Sequence, residues 1–359
     1  MINDISNIFL RIKNKDMFNS IMKKVKNKNL TIDGLRFYLN KVEELTNEDI
    51  SMLEDYFFKT NYRENIVYGN KVISIIIPTY NKGHIIVESI ESILRQSYKN
   101  FEIIIIDDFS TDRTEDIIKN KYKNESRIKY YKNIKNIGSR KSQKKGYNLS
   151  RGDYVIFMND DDFYIDNDFF TNCINLYSRH NNISFIVGDM IVYYEGNISN
   201  NIEIRELNLP PEIDKNNYFL EISSGIIKRK PPTTLSVMHN RRNLEYVEVN
   251  HMDGFGDIDL YQRALLGGNA LSINSIVAVF RRHKRANSYS LRVEEIIETL
   301  DAIKSTKQLS CQKFGYDKEF MNNVFDKTFN LCIDWYKTVS TPTNEQIEIV
   351  NKWLRENNI

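Results

Sequence analysis

Between residues 71 and about 290 the chain alternates between two hydrophobic periods. Residues 72–77 form a β-branched run that ends at Pro78 and reads as a buried strand. Ile86, Ile90, Ile93 and Leu94 then recur at helical spacing. Residues 101–106 give a second buried strand, closed by Asp107 and Asp108. Ser110 or Thr111 is expected to cap the next helix, which runs through Ile117 and Ile118. Residues 128–131 and Tyr154–Phe157 add two more strands, on either side of the segment 138–150. Short strand–helix units of this kind predict an α/β fold: a mostly parallel sheet with helices on both faces.

The flanks read differently. Residues 1–68 carry apolar positions such as Leu35, Tyr38, Leu39, Val42 and Leu45 at helical spacing, and form an N-terminal helical extension. Residues 291–359 return to helices: Ile296, Ile297, Leu300 and Ile303 make one stripe, and Phe325, Phe329, Cys332, Ile333 and Trp335 another. The expected organisation is therefore a helical extension (1–68), an α/β domain (71–290) and a C-terminal helical region (291–359). Apolar stripes on the flanks suit core packing, acceptor docking or homo-oligomer contacts alike. The stretch 11–28 is basic and 43–55 acidic, which fits two solvated helix faces.

Composition narrows the class. With 41% hydrophobic and 27% charged residues, the 359-residue chain matches ordinary globular proteins. A formal net charge of +2 gives no reason to expect nucleic acid as a partner. Cys173, Cys311 and Cys332 are too few and too scattered for a disulfide framework or a zinc site, and fit a reducing, cytoplasmic compartment. The first residues lack a basic segment followed by an apolar core, so no signal peptide is expected. The most apolar windows, 73–78 and 103–106, are too short to span a bilayer.

The chemistry concentrates where strands end. Tyr154–Phe157 runs into Met158, Asn159, Asp160, Asp161 and Asp162. Carboxylates crowded at the end of a buried strand suit a hard divalent cation, Mg²⁺ or Mn²⁺, which takes oxygen ligands and bridges to phosphates; a solvated turn is the plainer reading. Two further polar loops, Pro78-Thr79-Tyr80-Asn81 and Asp107-Asp108-Phe109-Ser110, follow strands, and in open α/β sheets ligands bind beyond such carboxyl ends. No glycine-rich dinucleotide fingerprint and no P-loop follows the first strand. Phosphates, if bound, must be held by metal and basic side chains.

Residues 72–81, 104–112 and 152–162, in this order and spacing, resemble the opening half of a family 2 glycosyltransferase with the GT-A fold, a Rossmann-like sheet covered by helices. The resemblance is strong over about 71–165 and looser over 230–290. It implies an inverting, metal-dependent enzyme that moves a sugar from a nucleoside-diphosphate sugar, UDP by default, to an acceptor hydroxyl. Tyr80 would flank the base, beside Pro78 and Thr79; Asp108 would accept from the base; Asp160 would meet the ribose; Asp161 would ligate the metal. Asn159 stands where the first aspartate of the D-x-D motif is usual. Residues 255–263 resemble the family's acidic helix start, which makes Asp257 the base; a helix cap is its plainer role, and both can hold together. Asp259 reads as structural or acceptor-facing. His283, after Val279-Phe280-Arg281-Arg282, resembles a late metal ligand, with Arg281 and Arg282 as candidate diphosphate contacts. Arg140 is a weaker candidate for the same role, and residues 228–230 form a second basic cluster.

The acceptor is left open among a surface glycan, a lipid-linked sugar, a protein side chain and a small molecule. A cytoplasmic protein, or one peripheral to the inner face of a membrane, is expected. Two other functions share this fold: a sugar nucleotidyltransferase, for which the loop 78–83 is a poor match, and a non-catalytic adaptor, against which the acidic residues count.

Overall fold

The computed structural model describes residues 32–40, 45–47, 49–50, 70–195, 202–223, 233–282 and 292–357. In chain order its elements begin with helix α1 (Ile32–Leu39), strand β1 (Ile73–Thr79), α2 (Ile86–Leu94), β2 (Phe101–Asp107), α3 (Thr114–Lys121), β3 (Ile128–Lys132), α4 (Ser139–Leu149) and β4 (Tyr154–Phe157). They continue through β5 (Phe163–Tyr164), α5 (Phe169–Arg179), β6 (Ile183–Tyr194), β7 (Ile202–Arg205), β8 (Glu212–Ile213), α6 (Lys215–Ser223), β9 (Val237–Asn240) and α7 (Arg241–Tyr246). The chain closes with α8 (Asp257–Leu265), β10 (Asn269–Arg282), α9 (Val293–Phe314), α10 (Lys318–Ser340) and α11 (Asn344–Glu356).

One ten-stranded sheet runs β3-β2-β1-β4-β9-β6-β10-β5, with β7 beside β6 and β8 beside β10. The first four strands pair in parallel, as the alternating units require. Beyond β4 the sheet is mixed, because β9 inserts antiparallel to both β4 and β6 while β6 and β10 pair in parallel. The chain leaves β1 toward β2 on one side and reaches β4 on the other. That reversal opens a crevice at the carboxyl ends of the strands, where an α/β sheet binds ligands.

Isoleucine runs make the strands because alternate side chains serve opposite faces, and here both faces are covered. Ile76, Ile104 and Ile106 point into one core with Tyr147, Tyr218, Tyr261, Ile296 and Phe325. Ile73, Ile75, Ile77, Ile103 and Ile105 point into the other, against Ile86, Ile90, Ile118, Phe169 and Phe170. The C-terminal helices thus share a core with the sheet. Gly146 lets α4 press on β1: a Cβ there would stand 2.4 Å from Cγ2 of Ile76. His239 lies wholly inside, stacked on Tyr261 at 6.2 Å, and burial pushes its imidazole down to about 3, so it is neutral there.

Helix α3 starts later than its sequence suggests. The Ser110 hydroxyl accepts from the Asn81 amide (2.9 Å) and the Thr111 amide donates to Asn81 Oδ1 (2.8 Å), so both residues stitch two loops together. Asp112 Oδ1 takes the amide of Thr114 (3.0 Å) at the true start.

Candidate active site

The three polar loops meet at the carboxyl ends of β1, β2 and β4. Their backbone carries strain. Asn81 has φ 54° and Phe109 φ 73°, the second a left-handed conformation that a bulky side chain rarely adopts. Both Tyr80 and Phe109 expose their rings, at 45% and 44%. Pro78 and Thr79 are the last two residues of β1, paired with Ile106 and Asp107.

The acidic loop has three distinct environments. Asp162 is wholly buried and accepts from the Arg281 amide (2.9 Å) and Asn159 Nδ2 (3.0 Å), so it ties β4 to β10. Burial and the neighbouring Asp161 raise its carboxyl well above the usual range. Asp161 pairs with Lys82 at 2.9 Å. Asp160 keeps its backbone in place by accepting the Ser89 hydroxyl at 3.0 Å. Its carboxyl is pushed up to about 7, first by burial and then by Asp161, against the opposing pull of Lys82, the Thr79 hydroxyl and the Tyr80 amide.

These carboxylates suit a hard divalent cation. They are adjacent oxygen donors, nearly buried, and Lys82 does not supply enough positive charge to bring Asp160 back to an ordinary carboxyl. Among the described residues no three His, Cys, Asp or Glu side chains converge as a metal cluster. His283 lies outside the described residues, as do 228–230.

Asp108 turns inward. Its carboxylate accepts from Asn133 Nδ2, the Ile137 amide and the Gly138 amide, each at 2.8 Å. Gly138, at φ 90°, makes this possible, because a left-handed residue there turns the chain into α4. Asp108 therefore shapes the loop 133–138 that borders the crevice. Lys145 steadies the same loop by donating to Asn133 Oδ1 at 2.6 Å.

At the second residue of α4, Arg140 pairs with Asp259 Oδ2 at 2.6 Å, with the carboxylate side chain fully buried and the guanidinium 12% exposed. The same Asp259 oxygen accepts the Gly256 amide (3.3 Å), so Asp259 supplies the cap of α8 from inside its first turn. Asp257 is the first residue of that helix and is partly exposed. Arg140 is committed to Asp259, and Arg281 to Glu88 at 2.6 Å with its guanidinium over Phe163. Arg282 lies over Phe280 at 5.5 Å. We expect Asp259→Asn to destabilise the fold by roughly 1–3 kcal/mol, because it removes the close charged partner of a buried guanidinium and leaves Glu298, at 4.0 Å, as its carboxylate neighbour; chemical denaturation measures it, and no measurable loss would mean the pair is not structural.

Sequence reasoning did not assign Lys82, Asn133 or Phe109 to the site. Lys82 was visible in the loop after the first strand, but no local feature announced its partner 79 residues away.

Comparison with solved structures agrees with the GT-A type fold expected from the sequence. S. aureus TarS 1–349 in complex with UDP-GlcNAc superposes with a TM-score of 0.57 at 17% identity, covering 75% of this chain and 73% of that one. Residues 74–231 match the family model Glycosyl transferase family 2. A Campylobacter jejuni GalNAc(5)-diNAcBac-PP-undecaprenol beta-1,3-glucosyltransferase is 30% identical over 155 residues, which is 43% of this chain and 49% of that protein. The Escherichia coli UDP-Glc:alpha-D-GlcNAc-diphosphoundecaprenol beta-1,3-glucosyltransferase WfaP is 43% identical over 95 residues, 26% of this chain and 37% of that protein. The chain spans about half, or less, of the length of these relatives.

Proposed function

We propose that the chain is an inverting glycosyltransferase that moves a sugar from a nucleoside-diphosphate sugar, preferably a UDP-sugar, to a hydroxyl of a lipid-linked saccharide. The observation that carries this reading is the crowding of Asp160 and Asp161 at the sheet's switch point, where burial and mutual repulsion leave Asp160 far from an ordinary carboxyl. The named activities of the two bacterial relatives support the donor and acceptor classes.

Tyr80 and Phe109 offer exposed aromatic faces at the rim for the base. Asp160 meets the ribose, and Asp161 holds Mg²⁺ or Mn²⁺, with His283 as the expected further ligand. When bound, that cation supplies charge stabilisation to the departing diphosphate. Asp257 takes the proton from the acceptor hydroxyl as its oxygen attacks the anomeric carbon. Asp259 cannot share that task, because Arg140 holds it inside the fold. A single base acting opposite a cation-stabilised leaving group fits single displacement with inversion. Among the described residues no helix is long and apolar enough to cross a membrane, and a lipid-linked acceptor fits association at a membrane surface.

Incubating the chain with radiolabelled UDP-sugars, Mn²⁺ and an undecaprenyl-diphosphate-linked saccharide tests the reading. A labelled lipid of inverted anomeric configuration is expected. Pyrophosphate release from nucleoside triphosphate and sugar phosphate would replace it with nucleotidyl transfer.

The raised Asp160 carboxyl makes cation binding pH-dependent. Below about 7 a proton occupies the group, and cation affinity should fall up to tenfold for each pH unit. Between the ordinary value of 3.8 and about 7 the folded chain binds this proton better than the unfolded chain does, so this group makes the cation-free protein more stable as pH falls through 7. Titrating Mn²⁺ with UDP at pH 6 and pH 8 reads the first effect; equal affinities would remove Asp160 from the cation's surroundings.

A further inference from the structure

A cavity of about 500 Å³ opens at the opposite end of the sheet from the acidic loop. It lies beside Asn240, the partner of Tyr154 at the first residue of β4, whereas Asp160 to Asp162 follow that strand's last residue. Its volume falls in the range of about 300–1,000 Å³ usual for small-ligand sites.

The lining has a definite chemistry. Arg242 and Lys215 contribute positive charge, and no Asp or Glu is among the lining residues described. Arg242 is exposed and enters no ion pair among the described residues, while Lys215 Nζ donates to the Leu266 carbonyl at 3.3 Å. Asn243 is 9% exposed, and its Oδ1 is fully buried with no hydrogen-bond partner. Tyr246 and Phe314 add an aromatic wall, their rings edge to face at 5.5 Å. That wall is fixed in place: Lys313 Nζ donates to the Tyr246 carbonyl and pairs with Glu248, both at 2.7 Å.

We propose that this cavity is a second binding site, separate from the donor crevice, for an anionic saccharide bearing a phosphate or carboxylate group. Sugar hydroxyls both donate and accept, as the side-chain amides of the lining residues Asn182, Asn240 and Asn243 do. The apolar face of a pyranose rests on Tyr246, and the anionic group meets Arg242 and Lys215. A flat heterocycle would leave the amides poorly used, and a bare anion would leave the aromatic wall unused.

Titration calorimetry of the full chain tests this with four probes: glucose 6-phosphate, a glucuronic-acid-containing disaccharide, neutral maltose and inorganic phosphate. The two charged saccharides should bind at least tenfold more tightly than maltose or phosphate. Arg242→Glu and Tyr246→Ala, both at exposed positions, should each weaken that binding at least tenfold. Asp161→Ala should leave it unchanged, which separates this site from the donor crevice whatever the outcome of the transfer assay. Equal binding of maltose or of phosphate alone, indifference to both cavity substitutions, or loss in Asp161→Ala would each overturn the proposal.

Discussion

Asp161→Ala is expected to abolish the metal dependence of nucleoside diphosphate binding and to weaken that binding, in the presence of Mn²⁺, by more than a hundredfold. Loss of an outer-sphere partner alone typically costs 10–100-fold in metal affinity, and removal of a ligand costs more. The local electrostatics set a further, less obvious expectation. Asp161 is the carboxylate that Lys82 meets at 2.9 Å and the like charge that helps raise Asp160. Its removal lowers the Asp160 carboxyl toward the ordinary range and leaves Lys82 beside it. The variant should therefore retain weak UDP binding that no longer responds to Mn²⁺, because the Lys82 ammonium can still meet phosphate. Calorimetric titration of UDP with Mn²⁺ or with chelator reads both effects. Unchanged affinity with an unchanged metal response would show that the cation is held elsewhere.

How much of this site the sequence reveals depends on the range of the interactions involved. The strands at 73–79, 101–107 and 154–157 are legible because isoleucine-rich runs bounded by polar loops have one economical burial, inside a doubly covered sheet. Their carboxyl ends mark the crevice for the same reason. Short strands are not legible: β5 has only two residues, too few for any period, and β9 enters antiparallel through contacts the local pattern does not encode. Asp108 shows the limit for side chains. Nothing near it in the chain indicates that its partners come from Asn133, Ile137 and Gly138, 25 to 30 residues later. A conspicuous acid can thus shape a binding loop through its own hydrogen bonds. Ser110 and Thr111 make the same point, since the Ser110 hydroxyl and the Thr111 amide bond to Asn81 on the neighbouring loop.

The Arg140–Asp259 pair also bears on what Asp257 can do. By capping α8 from within, Asp259 fixes the first turn, whose first residue is Asp257. A carboxylate in that place is favoured by the helix dipole by about 0.3–1 kcal/mol, so Asp257→Asn should cost only that order of stability. Positioned proton transfer contributes about 10²–10⁴-fold in rate, and we expect the substitution to reduce transfer by that factor. Because the donor contacts assigned here lie on the loops after β1, β2 and β4, UDP–Mn²⁺ affinity should stay within about twofold of the parent, the ordinary scatter for a site outside the binding contacts. Single-turnover transfer together with calorimetry separates the cases. A rate loss matched by an equal loss of donor affinity would make Asp257 a structural residue, whereas an undiminished rate would place the base on another side chain.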